Sequence, residues 1–482
     1  MQSLWHATVA PTAFPPLSGD LYTPVAIIGG GLVGILCAYM LKEQNIPAVV
    51  LEADRIGSGQ SGNSTAKITA QHGLIYYKLI QTLGRKMAGL YAEAAQRSIR
   101  AYKKLIAEKG ISCGYEERSS YLYTVSNLQA LEMELKAARS LGLSAWLTHT
   151  EELPFPVRGC LRFDHQAQFH PLLFLQALAR ELTIYEHTQV LNVHGHTIQT
   201  DRGTVTAERI LFTCHYPFVN QPGYYFLRMH QERGYCLALK NTPSLSGMYL
   251  GIDPSRNWSM RSAGNILILE GGGHRTGSNT GGRYEMLRKA AARWWPESRL
   301  VCRWSAQDCV TPDSVPYIGP YSSAEPDWYI ASGFDKWGIT HSMTAALLLR
   351  DLICGTPTPY AELFSPSRHT LLASAGNLIH DAQHNAKALL RRFLPASAGY
   401  SSLEPGHGGI VSIHGEKIGI YREKNGTPHC VEPFCPHMGC QLEWNPDELS
   451  WDCPCHGSRF DYDGQLLDDP AQADLLRPSC IR

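Results

Sequence analysis

Residues 24–41 read PVAIIGGGLVGILCAYML. Eighteen uncharged, mostly apolar residues match the length of a membrane span, but the glycines in their middle argue otherwise. Residues 25–28 read as a short buried strand, Gly29, Gly31 and Gly34 fit G-x-G-x-x-G, and 35–42 continue as a helix. The first glycine permits a tight turn, the second lets backbone approach a pyrophosphate, and the third lets helix and strand pack, with the helix N-terminus facing the phosphates. A second apolar strand, 48–51, ends in Glu52, 23 residues after the first glycine. A carboxylate there accepts from ribose hydroxyls and repels a 2′-phosphate, which disfavours NADP. The βαβ unit spans about 22–55 and sets an α/β, Rossmann-type class for this part of the chain.

The other end carries two boxes, CPHMGC at 435–440 and DCPCHGSRF at 452–460. Cys435, His437, Cys453 and His456 supply two thiolates and two imidazoles from two short loops. A Rieske [2Fe–2S] centre needs that set, the cysteines on one iron and the histidines on the other. Zinc in a Cys2His2 site is the competing occupant. One Cys and one His in each box, instead of two Cys followed by two His, weigh for the cluster.

Roughly the last 80 residues resemble a Rieske domain, a small all-β unit. In the respiratory-complex type a second cysteine pair forms a disulfide between the cluster loops, and the resemblance implies a Cys440–Cys455 bridge. The family's hydrogen-bond donors after the second histidine are a Ser and a Tyr. This chain keeps Ser458 but has Phe460 at the second place, so a potential in the lower part of the roughly −150 to +300 mV Rieske span is expected. DDPA, 468–471, resembles the proline loop that covers the cluster, with Asp469 in place of the usual glycine.

ADRIGSGQSGNSTAK, 53–67, resembles the R-x-x-G-x-x-x-S stretch that follows the dinucleotide fingerprint in flavoproteins of the D-amino-acid oxidase superfamily. SGFDKWGITHSMTAALLLRDLI, 332–353, resembles their closing motif, where a helix N-terminus stabilises the negative edge of a reduced flavin. STAKITAQHGLIY at 64–76, WSAQDCVTPDSVPYIGP at 304–320 and ASGFDKWGIT at 331–340 extend the match. The chain is identified as a member of that superfamily fused to a C-terminal Rieske domain. The resemblance implies noncovalent FAD held by Gly29, Gly31, Gly34, Glu52, Ala53, Ser61, Ser64, Thr65, Ala66, Gly333, Trp337, Gly338 and Thr340. It also implies a sheet-based, mixed α+β substrate domain interleaved with the FAD domain. His72 could attach the flavin covalently, but Ala66 and Lys67 stand where relatives place their attachment histidine.

The expected reaction is oxidation of an amine or amino acid at FAD, with electrons leaving singly through the cluster to a one-electron protein or quinone-like acceptor. Two alternatives stand beside it: a reductase fed by a ferredoxin-like donor through the cluster, and a redox-sensing electron-transfer protein without a metabolic substrate. Lys67, His215, Tyr235 and Lys336 are the catalytic candidates, with His72, His274 and Trp337 near them by motif position. Ring-hydroxylating oxygenases also carry Rieske centres, but there the Rieske domain comes first and no flavin fingerprint is present.

At 482 residues the chain exceeds one hydrophobic core. Expected units are an FAD oxidoreductase at 1–370, a helical linker at 371–399 and the Rieske domain at 400–482. Net charge is zero with no long basic run, so nucleic acid is not an expected partner. The first twenty residues have no secretory pattern, no membrane span is expected, and cytoplasm is the expected compartment. Of 14 cysteines, those before residue 360 read as ordinary thiols; Cys430 and Cys480 receive no role. Residues 79–109 read as a helix, 203–214 as a hairpin feeding a buried strand, and 234–239 and 265–270 as substrate-domain strands. GGGHRTG, 271–277, reads as a glycine turn. His380 and His384 could ligate a metal, but Leu378, Ile379, Ala382, Ala386, Leu389, Leu390 and Phe393 read as the apolar stripe of an amphipathic linker helix, and 395–409 as the hinge after it.

Overall fold

The glycines at the head of the chain fix how the first sheet and its helix meet. In the computed structural model, which describes residues 2–254, 256–278, 280–368, 375–396 and 403–478, the first strand is Leu21–Ile28 and the helix Leu32–Lys42. Gly29 turns the chain at φ 105°, and a Cβ on Gly34 would overlap the Gly29 carbonyl oxygen. Helix and strand therefore pack at a spacing that any side chain at residue 34 would forbid.

Leu21–Ile28 lies between two parallel neighbours, Ala48–Leu51 and Thr204–Phe212, with Thr183–Tyr185 and Glu325–Ser332 outside them, also parallel. Tyr317–Ser322 adds an antiparallel edge. Val25, Ala26 and Ile27 are fully buried, as a parallel sheet covered on both faces requires. Thr204–Phe212 is fed by the hairpin Val190–His194 and Thr197–Thr200. The long helix runs Ile75–Glu108 and kinks at Gly84, whose φ of 80° leaves the helical region.

Among the described residues a second sheet has nine strands, eight of them ordered from Arg299–Val310 through His230–Lys240, Ile266–Arg275, Ser259–Ala263 and Met248–Gly251 to Glu116–Thr124, Gly159–Gln168 and Lys67–Ile68, with Ala145–Thr148 also pairing with Gly159–Gln168. The chain passes between the two sheets repeatedly, so the α/β and mixed subdomains are interleaved. One expectation is corrected here. Residues 271–275 continue the Ile266–Arg275 strand, and the turn begins only afterwards, with Gly277 at φ 75°. A Cβ on Gly271 would press on Trp258 at 2.8 Å, so this glycine serves close packing instead of a turn.

The C-terminal part is small and all-β, with a three-stranded sheet, Gly408–Ile413, Glu416–Arg422 and Pro428–Val431, and a four-stranded one, Glu443–Asn445, Ser450–Asp452, Arg459–Asp461 and Leu466–Asp468. The linker holds the helix Ala375–Leu390, but its expected apolar stripe is not what holds it. Ile379, Leu390 and Phe393 are 58, 61 and 80% exposed, and Ala382 and Ala386 are exposed too. The helix is anchored on a different face: Asp381 accepts from Arg275 and meets His230 at 3.1 Å, Asn385 accepts from Arg275 at 3.0 Å, and Ala388 is buried in the core of the C-terminal domain. The Leu378 and His380 side chains, and both expected linker boundaries, lie outside the described residues. Among the described residues no helix is long and apolar enough to cross a membrane.

Gly34→Val is expected to lose about 3 kcal/mol of stability or more, the cost of forcing volume into a packed site. Thermal unfolding together with flavin content checks this, and a native-like melting curve would contradict it.

Candidate active site

A cavity of about 1130 Å³ lies where the two sheets and the C-terminal domain meet. Its volume exceeds a typical small-molecule pocket and leaves room for a dinucleotide with space beyond it. At one end lie Gly29, Gly31, Glu52, Ala53, Ser61, Ser64, Thr65 and Ala66. The Ser61 hydroxyl accepts from the Leu32 N–H at 2.9 Å, at the start of the helix that faces the phosphate site. Glu52 accepts from the Gly30 and Asp54 N–H groups at 2.7 and 2.9 Å. Burial raises its pKa while these two N–H groups oppose the rise. At the other end, Gly333, Trp337 and Gly338 line the cavity at the N-terminus of the helix Gly338–Ile353. Gly333 sits at φ 76° against Thr311. An anion-receptive helix start, an acidic residue beside it and a second helix start opposite suit FAD.

Thr340 does not line this cavity. Its hydroxyl donates to the Thr69 carbonyl at 2.8 Å and accepts from the Thr69 N–H at 3.0 Å, tying the closing helix to the strand beside it. Gly34 likewise acts through packing.

Of the catalytic candidates, Lys67, His215 and Lys336 reach the cavity and Tyr235 does not. The Tyr235 hydroxyl lies 3.0 Å from His274 Nε2 and accepts from Asn445 of the C-terminal domain at 3.4 Å. Lys67 donates to the Ser259 hydroxyl at 2.6 Å, and burial lowers its pKa to about 8. Burial also opposes charge on Lys336, but the Glu232 carboxylate at 2.9 Å holds its pKa above the ordinary value. His72 is buried behind the cavity wall, stacked on Trp337 at 4.7 Å with Nδ1 2.7 Å from the Tyr91 hydroxyl. Residues absent from the expected site also line the cavity: Arg233, Glu270, Trp304 and Asp308. Burial raises the Asp308 pKa to about 7.

The two boxes converge as their spacing suggests. His437 and His456 stand ring to ring at 5.0 Å, T-shaped, and both Nδ1 atoms are buried without a hydrogen-bond partner. His437 Nε2 is 2.8 Å from Asn220 Oδ1, a bond that places the proton on Nε2 and leaves Nδ1 as a lone pair. Cys435 and Cys453 are buried free thiols, and the hydrogen bond between them holds Cys435 below its ordinary pKa. Two orphaned imidazole nitrogens and two thiols fit a Rieske cluster. Cys440 and Cys455 form a disulfide. Their sulfurs gather with Cys453 within 4.8 Å, but a bridged sulfur is spent as a thiolate ligand. The Ser458 hydroxyl accepts from the Ala471 N–H at 3.0 Å and donates toward Cys435.

The cluster boxes rest on the cavity wall of their own chain. Gln231, 2% exposed, donates from Nε2 to the His456 carbonyl at 2.7 Å and the Asp469 carbonyl at 3.1 Å. Its Oε1 accepts from Gln307 at 2.7 Å and lies 3.2 Å from His215 Nε2. Gln307 also donates to the Gly457 carbonyl at 2.9 Å. A Cβ on Gly457 would come 2.7 Å from the Gln231 Cβ, so glycine lets the loop seat this closely. Arg233 meets Glu448 at 3.1 Å and Asp468 at 3.6 Å beside this contact. Among the described residues, Gln231, Asn220 and Arg233 had no motif to announce them, because they act by touching residues more than a hundred positions away; Gln307 lies in the 304–320 stretch, but nothing in that stretch pointed to its contact with the cluster loop.

The family model for FAD dependent oxidoreductases (DAO) matches residues 24–352, and that for the Rieske [2Fe-2S] domain matches 397–478. The Rieske 2Fe-2S iron–sulfur protein YhfW of Bacillus subtilis (strain 168) is 35% identical across 98% of this chain and 96% of its own. Glycine oxidase from Geobacillus kaustophilus shares the fold at TM-score 0.62 and 20% identity, covering 72% of this chain and 99% of its own. L-proline dehydrogenase from P. horikoshii does so at TM-score 0.60 and 18% identity, covering 73% and 98%. FAD and a [2Fe–2S] cluster are the cofactors that the two matched domains imply. The chain belongs to the DAO family of FAD-dependent oxidoreductases and carries a Rieske domain at its C-terminal end.

Proposed function

We propose that the protein oxidises an amine or amino acid at FAD and delivers the electrons singly, through a cluster held by Cys435, His437, Cys453 and His456, to an external one-electron acceptor. The observation that carries this reading is the seating of the second cluster box on Gln231, whose other end faces His215 on the flavin cavity wall. Bound FAD supplies two-electron acceptance from a C–H beside nitrogen, and the cluster supplies one-electron transfer.

The chain's own residues would hold and orient the substrate. Glu270 and Asp308 bring carboxyl groups to the substrate-sheet side of the cavity, suited to an amine, and Lys67 offers an N–H to a carboxylate. Trp304 and Leu250 are the apolar walls that restrict water there. Glycine and L-proline, named in the two solved structures above, put amino acids first among the compounds to test. A cavity that continues past the flavin motifs into the second sheet supports a metabolic substrate over a sealed electron carrier.

Anaerobic mixing with amino acids and N-methylated amines is expected to bleach the flavin absorbance, followed by the EPR signal of the reduced cluster. Reduction only by a ferredoxin-like donor, with the cluster signal appearing first, would contradict the proposed direction. Ser458→Ala is expected to lower the cluster's midpoint potential by about 60 mV, the one-electron equivalent of ~1.4 kcal/mol for a lost hydrogen bond to a charged centre. An EPR-monitored redox titration reads this directly, and an unchanged potential would remove Ser458 from the donor set.

A further inference from the structure

We propose that the Rieske domain supplies the closing wall of the FAD site, so that the flavin is held between the two domains and leaves only when the segment at 466–474 lifts. Leu466, Leu467, Asp468, Asp469, Gln472 and Asp474 line the same continuous cavity as Gly29, Glu52 and Ser61. The segment is pinned to the dinucleotide motif itself: Gln60, next to Ser61 in the phosphate-side loop, donates from Nε2 to Asp468 Oδ1 at 3.0 Å. A second pin is the Asp469 carbonyl, which accepts from Gln231 at 3.1 Å.

An acidic segment facing a pyrophosphate site would ordinarily repel the ligand. Here the charge nearest the Gln60 contact is compensated. Asp468 pairs with Arg459 at 2.8 Å and Arg233 at 3.6 Å. Burial, with Asp468 and Glu52 nearby, raises the Asp469 pKa to about 8, so at neutral pH this carboxyl is largely protonated and can donate a hydrogen bond. Leu466 and Leu467 add apolar surface beside these groups. The wall is held in shape internally, because the Leu466 N–H donates to Asp474 at 2.8 Å and the Ala471 N–H to Ser458 at 3.0 Å. The same segment thus touches Ser458 of the second cluster box on one side and lines the flavin crevice on the other, and no motif of the FAD domain would reveal the second role.

Hydrogen exchange on the full-length, cluster-loaded protein, compared with and without FAD, tests this. FAD is expected to slow exchange at 29–34 and 333–340 and also at 466–474, the last by about tenfold or more. Protection confined to 29–34 and 333–340 overturns the proposal while leaving the FAD assignment of the crevice intact; absence of protection at all three sites overturns both. A second measurement uses Gly281→Val, in which a Cβ would meet Pro446 at 2.7 Å, a residue of the C-terminal domain outside 435–440, 452–460 and 466–474. Its FAD release, followed by the rise of flavin fluorescence, is expected to quicken about tenfold or more with the cluster's EPR signal retained. Release at the wild-type rate while 466–474 already exchanges freely would contradict the proposal.

Discussion

Buried amides bridge the two halves of this molecule, and Gln231 is the one that touches both the cluster loop and the flavin cavity wall. Gln231 satisfies both ends of its side chain across the domain junction, with its N–H groups on the carbonyls of His456 and Asp469 and its carbonyl toward Gln307 and His215. A buried amide left unpaired costs more than a made one returns, so this residue favours a single seating of the cluster loop. Gly457 makes the approach sterically possible. With the loop seated, His456 lies one side chain away from a residue of the flavin cavity, and the proposed electron route follows from that adjacency.

Around the amide, charge fixes the register. Arg233 and Arg459 share Glu448 and Asp468, and Arg459 also meets Asp452 at 3.0 Å. Burial opposes ionisation of Glu448, yet the two guanidiniums hold its pKa down to about 2. Such a network returns little net stability after desolvation, but losing one member strands the rest. Its best-supported use is specification of one arrangement over near neighbours. Here Arg233 is the member that crosses the junction, pairing with Glu448 and Asp468 beside the segment that lines the flavin crevice.

The parts readable in the sequence are those whose chemistry is local. Gly29, Gly31, Gly34 and Glu52 lie within one βαβ unit, where the turn, the helix start and the acidic strand end each demand a residue type. Cys435, His437, Cys453 and His456 lie in two short loops, and their side chains converge with both imidazole Nδ1 atoms free of protein partners. Reading fails where a long-range contact decides. The stripe through Ile379, Leu390 and Phe393 has helical period, but Arg275 and His230 reach Asp381 and turn a different face inward. Tyr235 sits on a cavity strand, yet a register shift between Arg233 and Tyr235 leaves Arg233 and Cys236 on the cavity and the Tyr235 hydroxyl beside Asn445. The glycines at 271–273 suggest a turn, but they lie in a strand, where Gly271 makes room for Trp258. Gln231 has no signature, since its partners are set by how two domains dock.

The central proposal is that flavin and cluster of one chain form a single electron route, and flash photoreduction of the flavin in the holo-protein tests it most directly. The cluster's reduction, followed optically after the flash, is predicted to be first order with a rate constant that does not change when protein concentration is raised tenfold. A rate proportional to concentration, or a flavin that stays reduced beside an oxidised cluster of higher potential, would contradict the account.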